Sequence, residues 1–449
     1  MDRISIQVYL PWQVELLISH SFSLFFIVFL VGGFTSSAQQ NEIGSSINPV
    51  GSGARAMGLG NAFIAVADDA TAASWNPAGL IQLQAPEFSL AVEAHKRKGK
   101  ISSPSNPENS SIHSLQLEDL NYASLVYPFY FQTSMVFSLN YLKVYRFDKS
   151  FSFPVSRFVP GTTLFNEQFD FQFDQDGEFS VLAPAYAVFI NSKLSLGITV
   201  NIWNHALTDS SLYEKRQSSI GTVTSTTDPE FPVLSTSTWT EDRFVVDEGY
   251  SLVIGGLFRI NDHWNAGVVV KPQFELELEH TSRRSESTLR PERKEFAELE
   301  FPLILGIGFT WRPMDEWTLS SDMTWTDWSK FLFSENGART NPISGDLSTD
   351  SKLDDTYTVR LGCEYLIIRD SHLISLRGGL GYDPSPAVAD EDKFYTASLG
   401  MGLQFGSFNF DAAWEFRWGN NVNSDTFRGI TASQDIRQHR VLTSFIYYF

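Results

Sequence analysis

Hydrophobic and polar residues alternate with a period of two over much of this chain. Trp264, Ala266, Val268, Val270, Phe274, Leu276 and Leu278 fall on one face of an extended segment, and Asn265, Lys271, Gln273, Glu275, Glu277 and Glu279 on the other. Phe408, Phe410, Ala412, Trp414, Phe416 and Trp418 likewise oppose Asn409, Asp411, Glu415 and Arg417. At the end of the chain, Val441, Thr443, Phe445, Tyr447 and Phe449 oppose Arg440, Leu442, Ser444, Ile446 and Tyr448. A soluble sandwich would bury the apolar face and wet the charged one, whereas a membrane barrel turns the apolar face to lipid and lines its lumen with charge. After residue 38 no apolar run approaches the roughly 20 residues of a spanning helix. A membrane protein of this kind must be a closed barrel, because in lipid every backbone donor and acceptor has to be paired within the protein.

The connections separate the two readings. Tight turns are expected near Pro128-Phe129, Asn191-Ser192, Asn261-Asp262, Pro313-Met314, Arg369-Asp370 and Gly406-Ser407, with long polar loops at 98–116, 148–175, 206–240, 281–294, 331–351, 383–392 and 419–436. Short turns alternating with long loops are the rhythm of an outer-membrane barrel, and about six turns with about seven loops give about 14 strands with both chain ends on the periplasmic side. The expectation is therefore an all-β, membrane-spanning antiparallel barrel over residues 85–449. Residues 39–84, rich in Gly, Ala and small polar residues, stand apart from the alternation. They predict a compact plug inside the lumen, with one short helix near Asp69 to Trp75 capped by the Asp.

Composition sharpens this picture. A leader is expected over residues 1–38, where the apolar run Leu24–Val31 is too short to span and is followed by Ser36-Ser37-Ala38. A formal net charge of −19 and an export signal argue against nucleic acid as a partner. The single cysteine, Cys363, excludes an internal disulfide and leaves no Cys pair for a metal. A chain ending mid-strand on Phe449 looks like the insertion signal of a bacterial outer-membrane barrel, so the localisation expected is the outer membrane of a Gram-negative cell.

No constellation of catalytic residues is apparent. The histidines are scattered, no G-x-S-x-G elbow occurs and no metal-ligand spacing is present, so neither an enzyme nor a cofactor is expected. Gly51-Ser-Gly-Ala-Arg-Ala56 fits G-x-G-x-x-A formally, but no strand precedes it and no adequate helix follows. The best site candidate is Asp68-Asp69 followed by Asn76-Pro77-Ala78. Proline biases Asn76 away from helix, so the Asn amide is free to bond exposed backbone ends, either as plain packing or as part of a gate. The basic groups His95-Lys-Arg-Lys98 with Lys100, and Arg283, Arg284, Arg290, Arg293 and Lys294, read either as solvated loop charge or as partners of lipopolysaccharide phosphates. Lys271, Arg360 and Arg377 are candidate lumen charges, able to hold a substrate carboxylate or to pair with Glu275, Glu277 or Glu364.

The runs Gly53-Ala-Arg-Ala-Met-Gly-Leu-Gly-Asn-Ala-Phe63, Ala67-Asp-Asp-Ala70 and Trp75-Asn-Pro-Ala-Gly-Leu80 resemble the N-terminal hatch of the FadL-type long-chain fatty acid transporters. Phe301–Pro313, Glu316–Asp322, Trp325–Ser329, Val359–Tyr365 and Leu376–Pro386 are similar to that family as well, while 95–250 matches only in general pattern. The resemblance implies a hatch-plugged barrel, monomeric and bathed in outer-membrane lipid and lipopolysaccharide, that passes hydrophobic molecules without an energy source. It also implies a hatch that moves during transport, the Asn-Pro-Ala element included, and lateral exit through a gap where the third wall strand kinks. Here the third strand, expected at about 130–147, holds neither Pro nor Gly, so Pro184, Pro272 and Pro302 are the alternative wall breaks. A similar hatch occurs in barrels serving type IX secretion, which leaves a structural barrel that binds exported proteins as the second reading.

Overall fold

The computed structural model describes residues 51–102, 110–159, 165–227, 230, 232–285, 292–344, 347–349, 353–387, 391–427 and 430–449. The leader expected at 1–38 and Arg290 lie outside them. One antiparallel sheet closes on itself into a barrel of 14 wall strands, several of them interrupted. These are β1 (Glu87–Ser102), β2 (Ser111–Phe131), β3 (Thr133–Arg146 and Lys149–Val159), β4 (Phe165–Asn191), β5 (Leu194–Trp203 and Leu212–Ser225), β6 (Leu234–Arg259) and β7 (Trp264–Lys271 and Phe274–Arg284). They continue with β8 (Glu292–Phe301 and Ile304–Met314), β9 (Trp317–Thr326 and Leu332–Glu335), β10 (Thr356–Ile368), β11 (His372–Tyr382), β12 (Phe394–Phe405), β13 (Phe408–Phe427) and β14 (Ile430–Tyr448). Pairing of β1 with β14, from Glu87↔Tyr448 to Ser102↔Ser433, seals the wall. No described helix is long and apolar enough to cross a membrane; the strands cross it.

In the half of the barrel that carries the short turns, the faces are as the alternation predicts. On β8, Leu305, Ile307, Phe309 and Trp311 are exposed to the outside, while Gly306, Gly308 and Thr310 face in. On β10, Tyr357, Val359, Leu361 and Tyr365 point out with Cys363 between them half-buried, and Arg360 and Glu364 point in.

Toward the other end, β4, β7 and β8 invert this polarity. The interruptions of β7 and β8 lie opposite each other: Lys271 pairs Ile304 below, Phe274 pairs Phe301 above, and 272–273 face 302–303 without a ladder pair. Their mutual register is the same on both sides of the gap, so neither strand slips past the other; each strand turns over within its own two unpaired residues, and its alternation resumes with the opposite phase. Above it Leu276, Leu278, Leu299 and Phe301 are buried within, while Glu275, Glu277 and Glu298 face outward. The single continuous face expected from Trp264 to Leu278 is thus corrected.

The same inversion explains why the expected loops are much shorter. The described residues of 148–175, 206–240 and 419–436 are largely strand, and on β4 buried Phe169, Phe171 and Phe173 alternate with Asp170, Gln172 and Asp174. Two positional expectations also shift. Pro128-Phe129 lies inside β2, with the reversal at Gln132 (φ 62°), and the His95–Lys100 cluster lies on β1 rather than in a loop.

Candidate functional site

Residues 51–86 lie against the inner wall and are almost wholly buried. They contain helix α1 (Ala54–Gly58), helix α2 (Ala72–Trp75) and a 3-10 turn at Pro77–Gln82. The expected helix starting at Asp69 is corrected, since Thr71 occupies the N-cap of α2 without a side-chain cap bond. The Asp69 carboxylate instead accepts from Thr71 N (2.9 Å) and Thr71 Oγ1 (2.5 Å), forming a turn ahead of the helix. Burial raises its pKa to about 6, against the lowering effect of Arg55 and the Thr71 hydroxyl. Asp68 pairs with Arg55 (2.5 Å) and with Arg312 of β8 (3.2 Å).

Asn76 is extended, as its position before proline requires, at φ −147° and ψ 98°. Its Nδ2 donates to the Ile64 carbonyl (2.8 Å) and to the Gly256 carbonyl of β6 (3.1 Å), and its Oδ1 accepts from Ala78 N (3.2 Å). The amide therefore caps the 3-10 turn and fastens the segment to the wall. Ser195 donates to the Ala78 carbonyl (3.1 Å) and Thr199 to the Ala73 carbonyl (2.7 Å), both from β5.

The wall groups that receive this segment were not singled out from the sequence. Asp322 of β9 accepts from Phe63 N (2.6 Å) and Ile64 N (2.9 Å). Ser444 accepts from Ala54 N (2.8 Å), Ser398 from Gly60 N (3.0 Å), and Glu415 from Asn61 Nδ2 (2.7 Å). Glycines on seven strands, Gly197, Gly255, Gly267, Gly308, Gly362, Gly379 and Gly400, stand where an added β-carbon would lie within 3 Å of atoms of the segment. A wall of these residues lets two backbones touch. The available signal was glycine on the polar face of strands whose other face is apolar, as at Gly306 and Gly308.

Of the expected lumen charges, Arg377 is bonded to Glu364 (2.6 Å) and Asp411 (2.5 Å), all buried, with Glu364 also held by Arg55 (3.1 Å). Arg360 pairs with Asp383 (3.2 Å) rather than with the glutamates expected. Lys271 makes no ion pair among the described residues; Glu275 and Glu277, read earlier as possible partners, face outward.

While Glu93, Asn121, Lys143, Arg146, Arg417 and Arg440 line a polar cavity on one side, the opposite side of the lumen is apolar. Tyr145, Trp203, Phe274 and Phe301, from β3, β5, β7 and β8, stack across it with Tyr145–Phe301 centroids 4.9 Å apart, Trp203–Phe274 5.5 Å and Phe274–Phe301 4.7 Å. Val181, Leu276, Leu299, Trp328 and Phe331 extend the same cluster. A cavity beside it is bounded by Leu142, Val144, Trp203, Phe274, Ser251 to Val253, Lys271 and Pro302. It abuts an irregularity in the wall: β6 pairs β7 at Ile254↔Val270 and again at Gly249↔Leu276, leaving 250–253 without ladder pairs to β7. Pro272 and Pro302 border this stretch. Pro184 lies inside unbroken β4 in register with Leu139. The third strand is bulged at Val144 and interrupted at Phe147–Asp148, although it holds no Pro or Gly there.

The barrel is similar to solved hydrocarbon channels at low identity. The Pseudomonas putida toluene transporter TodX matches with TM-score 0.56 and 13% identity over 90% of this chain and 99% of that one. The Ralstonia pickettii toluene transporter TbuX gives 0.51 and 15% over 90% and 99%, and the CymD monoaromatic hydrocarbon channel 0.50 and 15% over the same shares. No protein with a curated description matches the chain in sequence. The family model described as outer membrane protein transport protein (OMPP1/FadL/TodX) matches residues 44–438, and the chain belongs to that family of outer-membrane barrels.

Proposed function

We propose that this barrel passes hydrophobic small molecules through the outer membrane, with residues 39–84 acting as a hatch. The observation that carries this reading is the aromatic side of the lumen, where the stack of Tyr145, Trp203, Phe274 and Phe301 borders a cavity that can take an apolar solute out of water, beside paired charges that cannot. Such a cavity attracts an apolar molecule with no energy source. The paired charges and the hatch then turn it aside, toward the stretch at 250–253 and Pro272–Pro302 where the wall ladder is incomplete. The toluene channels support an apolar cargo; Lys271 at the edge of the same cavity, without a carboxylate partner among the described residues, adds a site for an acidic headgroup and favours a fatty acid.

The test is detergent purification followed by lipid extraction and mass spectrometry, together with entry of a pyrene-labelled fatty acid and of the matching alcohol into liposomes holding the barrel. Both compounds should enter faster than through empty liposomes, and Lys271→Gln should slow the acid more than the alcohol. No acceleration of either compound refutes transport, and stable co-elution with a secretion subunit without bound acyl chains supports the exported-protein reading instead. Equal loss of acid and alcohol would retain hydrophobic passage but remove the fatty acid assignment.

A further inference from the structure

The two basic clusters differ in what surrounds them. On β7 and β8, Arg283 is paired with Glu241 and Glu292, Arg293 with Glu295, and Lys294 with Glu279, so these three are each neutralised by a neighbour. On β1 the alternation puts His95 and Arg97 inside and Lys96, Lys98 and Lys100 outside, all three exposed. None of these lysines has an ion pair among the described residues. Lys98 is in register with Arg437 of β14, also on the outer face, and like charges facing each other across a ladder cost stability unless an anion joins them. The nearest outward acids are Asp435, in register with Lys100 and bonded to Asn421 N, and Glu118 on β2, in register with Ala94.

The hydrogen-bonded row that contains Lys98 is aromatic on the neighbouring strands. Tyr382, Tyr395, Trp418, Arg437 and Lys98 follow one another in register across β11, β12, β13, β14 and β1. Because barrel strands tilt, this row climbs the wall, and the level is read along β1 itself: outward Phe88, Leu90, Val92 and Ala94 give way to Lys96, Lys98 and Lys100 toward the connection after residue 102, with Tyr and Trp beside them as at the headgroup level of the outer leaflet. Below it on the same strands the outer surface is apolar, with Val92, Val441 and Trp414 about 40% exposed. The surface therefore offers acyl-chain contact below and cations at the headgroup level.

We propose that Lys96, Lys98, Lys100 and Arg437 bind the phosphates of a phosphorylated, acylated glycolipid of the outer leaflet, the lipid A moiety of lipopolysaccharide. Three ammonium groups spaced along one strand, with a guanidinium on the next, give charge-assisted hydrogen bonds that hold a phosphate while its chains run down the aromatic face. The site is on the outer wall and is independent of what the lumen carries.

The test uses the full barrel in detergent, with bisphosphorylated lipid A as the probe and native mass spectrometry as the readout. The wild-type barrel should retain lipid A and release the dephosphorylated form, and inorganic phosphate should not displace the lipid. The variant K96Q/K98Q/K100Q/R437Q should lose affinity by roughly tenfold or more, whereas R283Q/R293Q/K294Q should not. Heat-modifiable gel mobility checks folding, and the wild-type comparison of the two lipids stands even where a variant misfolds. Equal retention of both lipids, displacement by inorganic phosphate, or equal loss in both variants overturns the proposal.

Discussion

The Asn76 Oδ1 lies 2.0 Å from the point where a β-carbon on Gly255 would stand, so the amide of the N-terminal segment occupies the space that this glycine leaves empty. Gly197, in register with Gly255 on the neighbouring strand, makes the same room for Pro77 and Ala78. Gly255→Ala is therefore expected to push the Asn-Pro-Ala turn off the wall without altering the wall's own hydrogen bonds. Planar-bilayer recordings should show higher conductance than wild type, with limited proteolysis cutting first within residues 51–84. Unchanged conductance and unchanged proteolysis would show that the turn does not occlude the lumen.

Asn76→Ala tests the same contact from the other side. It removes three hydrogen bonds and leaves the Ile64 and Gly256 carbonyls without that donor. At about 1 kcal/mol each, the segment should loosen by about 2–3 kcal/mol. Hydrogen exchange should report faster labelling of 51–84 while the wall strands keep their protection. Deleting 39–84 altogether should leave a folded barrel, since the strands pair only with one another, with conductance above that of the wild type.

Asp69 gives the segment a pH dependence. Burial raises its carboxyl from 3.8 to about 6, so the folded segment favours the protonated form. The stabilisation is complete below the unfolded value and is lost as pH rises through about 6, a loss on the order of 2–3 kcal/mol. Exchange protection of α2 should thus be greater at pH 4 than at pH 8. Asp69→Asn keeps an acceptor for Thr71 N and removes the charge, so its protection should vary less over that range than that of the wild type; a slope equal to wild type would assign the titration elsewhere.

Arg377 holds two buried carboxylates, Glu364 and Asp411. Arg377→Met leaves Asp411 without its guanidinium partner and Glu364 with Arg55 alone, at a cost of about 3 kcal/mol or more. Thermal unfolding of the detergent-solubilised barrel should occur at lower temperature, and the triple change R377M/E364Q/D411N should recover most of the loss. A triple variant no better than the single would mean that the Arg stem, and not its charge, supports the wall.

Alternation, aromatic content and the turn-and-loop rhythm determined the barrel. A strand in lipid needs an apolar residue at every second position whatever its neighbours do, so the pattern is local and legible. Asn76 was legible for a similar reason, because proline sets the conformation before it and an amide there has backbone ends within reach. What lies above the membrane was not. Phe169, Phe171 and Phe173 alternate as regularly as any spanning strand and share the inward face of β4 with Ala183, Ala185 and Ala187, so there it is the outer face that turns polar; on β7 and β8 the faces exchange at the unpaired residues 272–273 and 302–303, and neither feature is visible in a single segment. The polar faces of those strands therefore read as loops. The partners of Arg360 and the seating of residues 51–86 on Asp322 and the wall glycines were likewise decided only by closure. That geometry brings residues 309 positions apart, such as Arg55 and Glu364, within 3.1 Å, and sequence spacing carries no record of such distances.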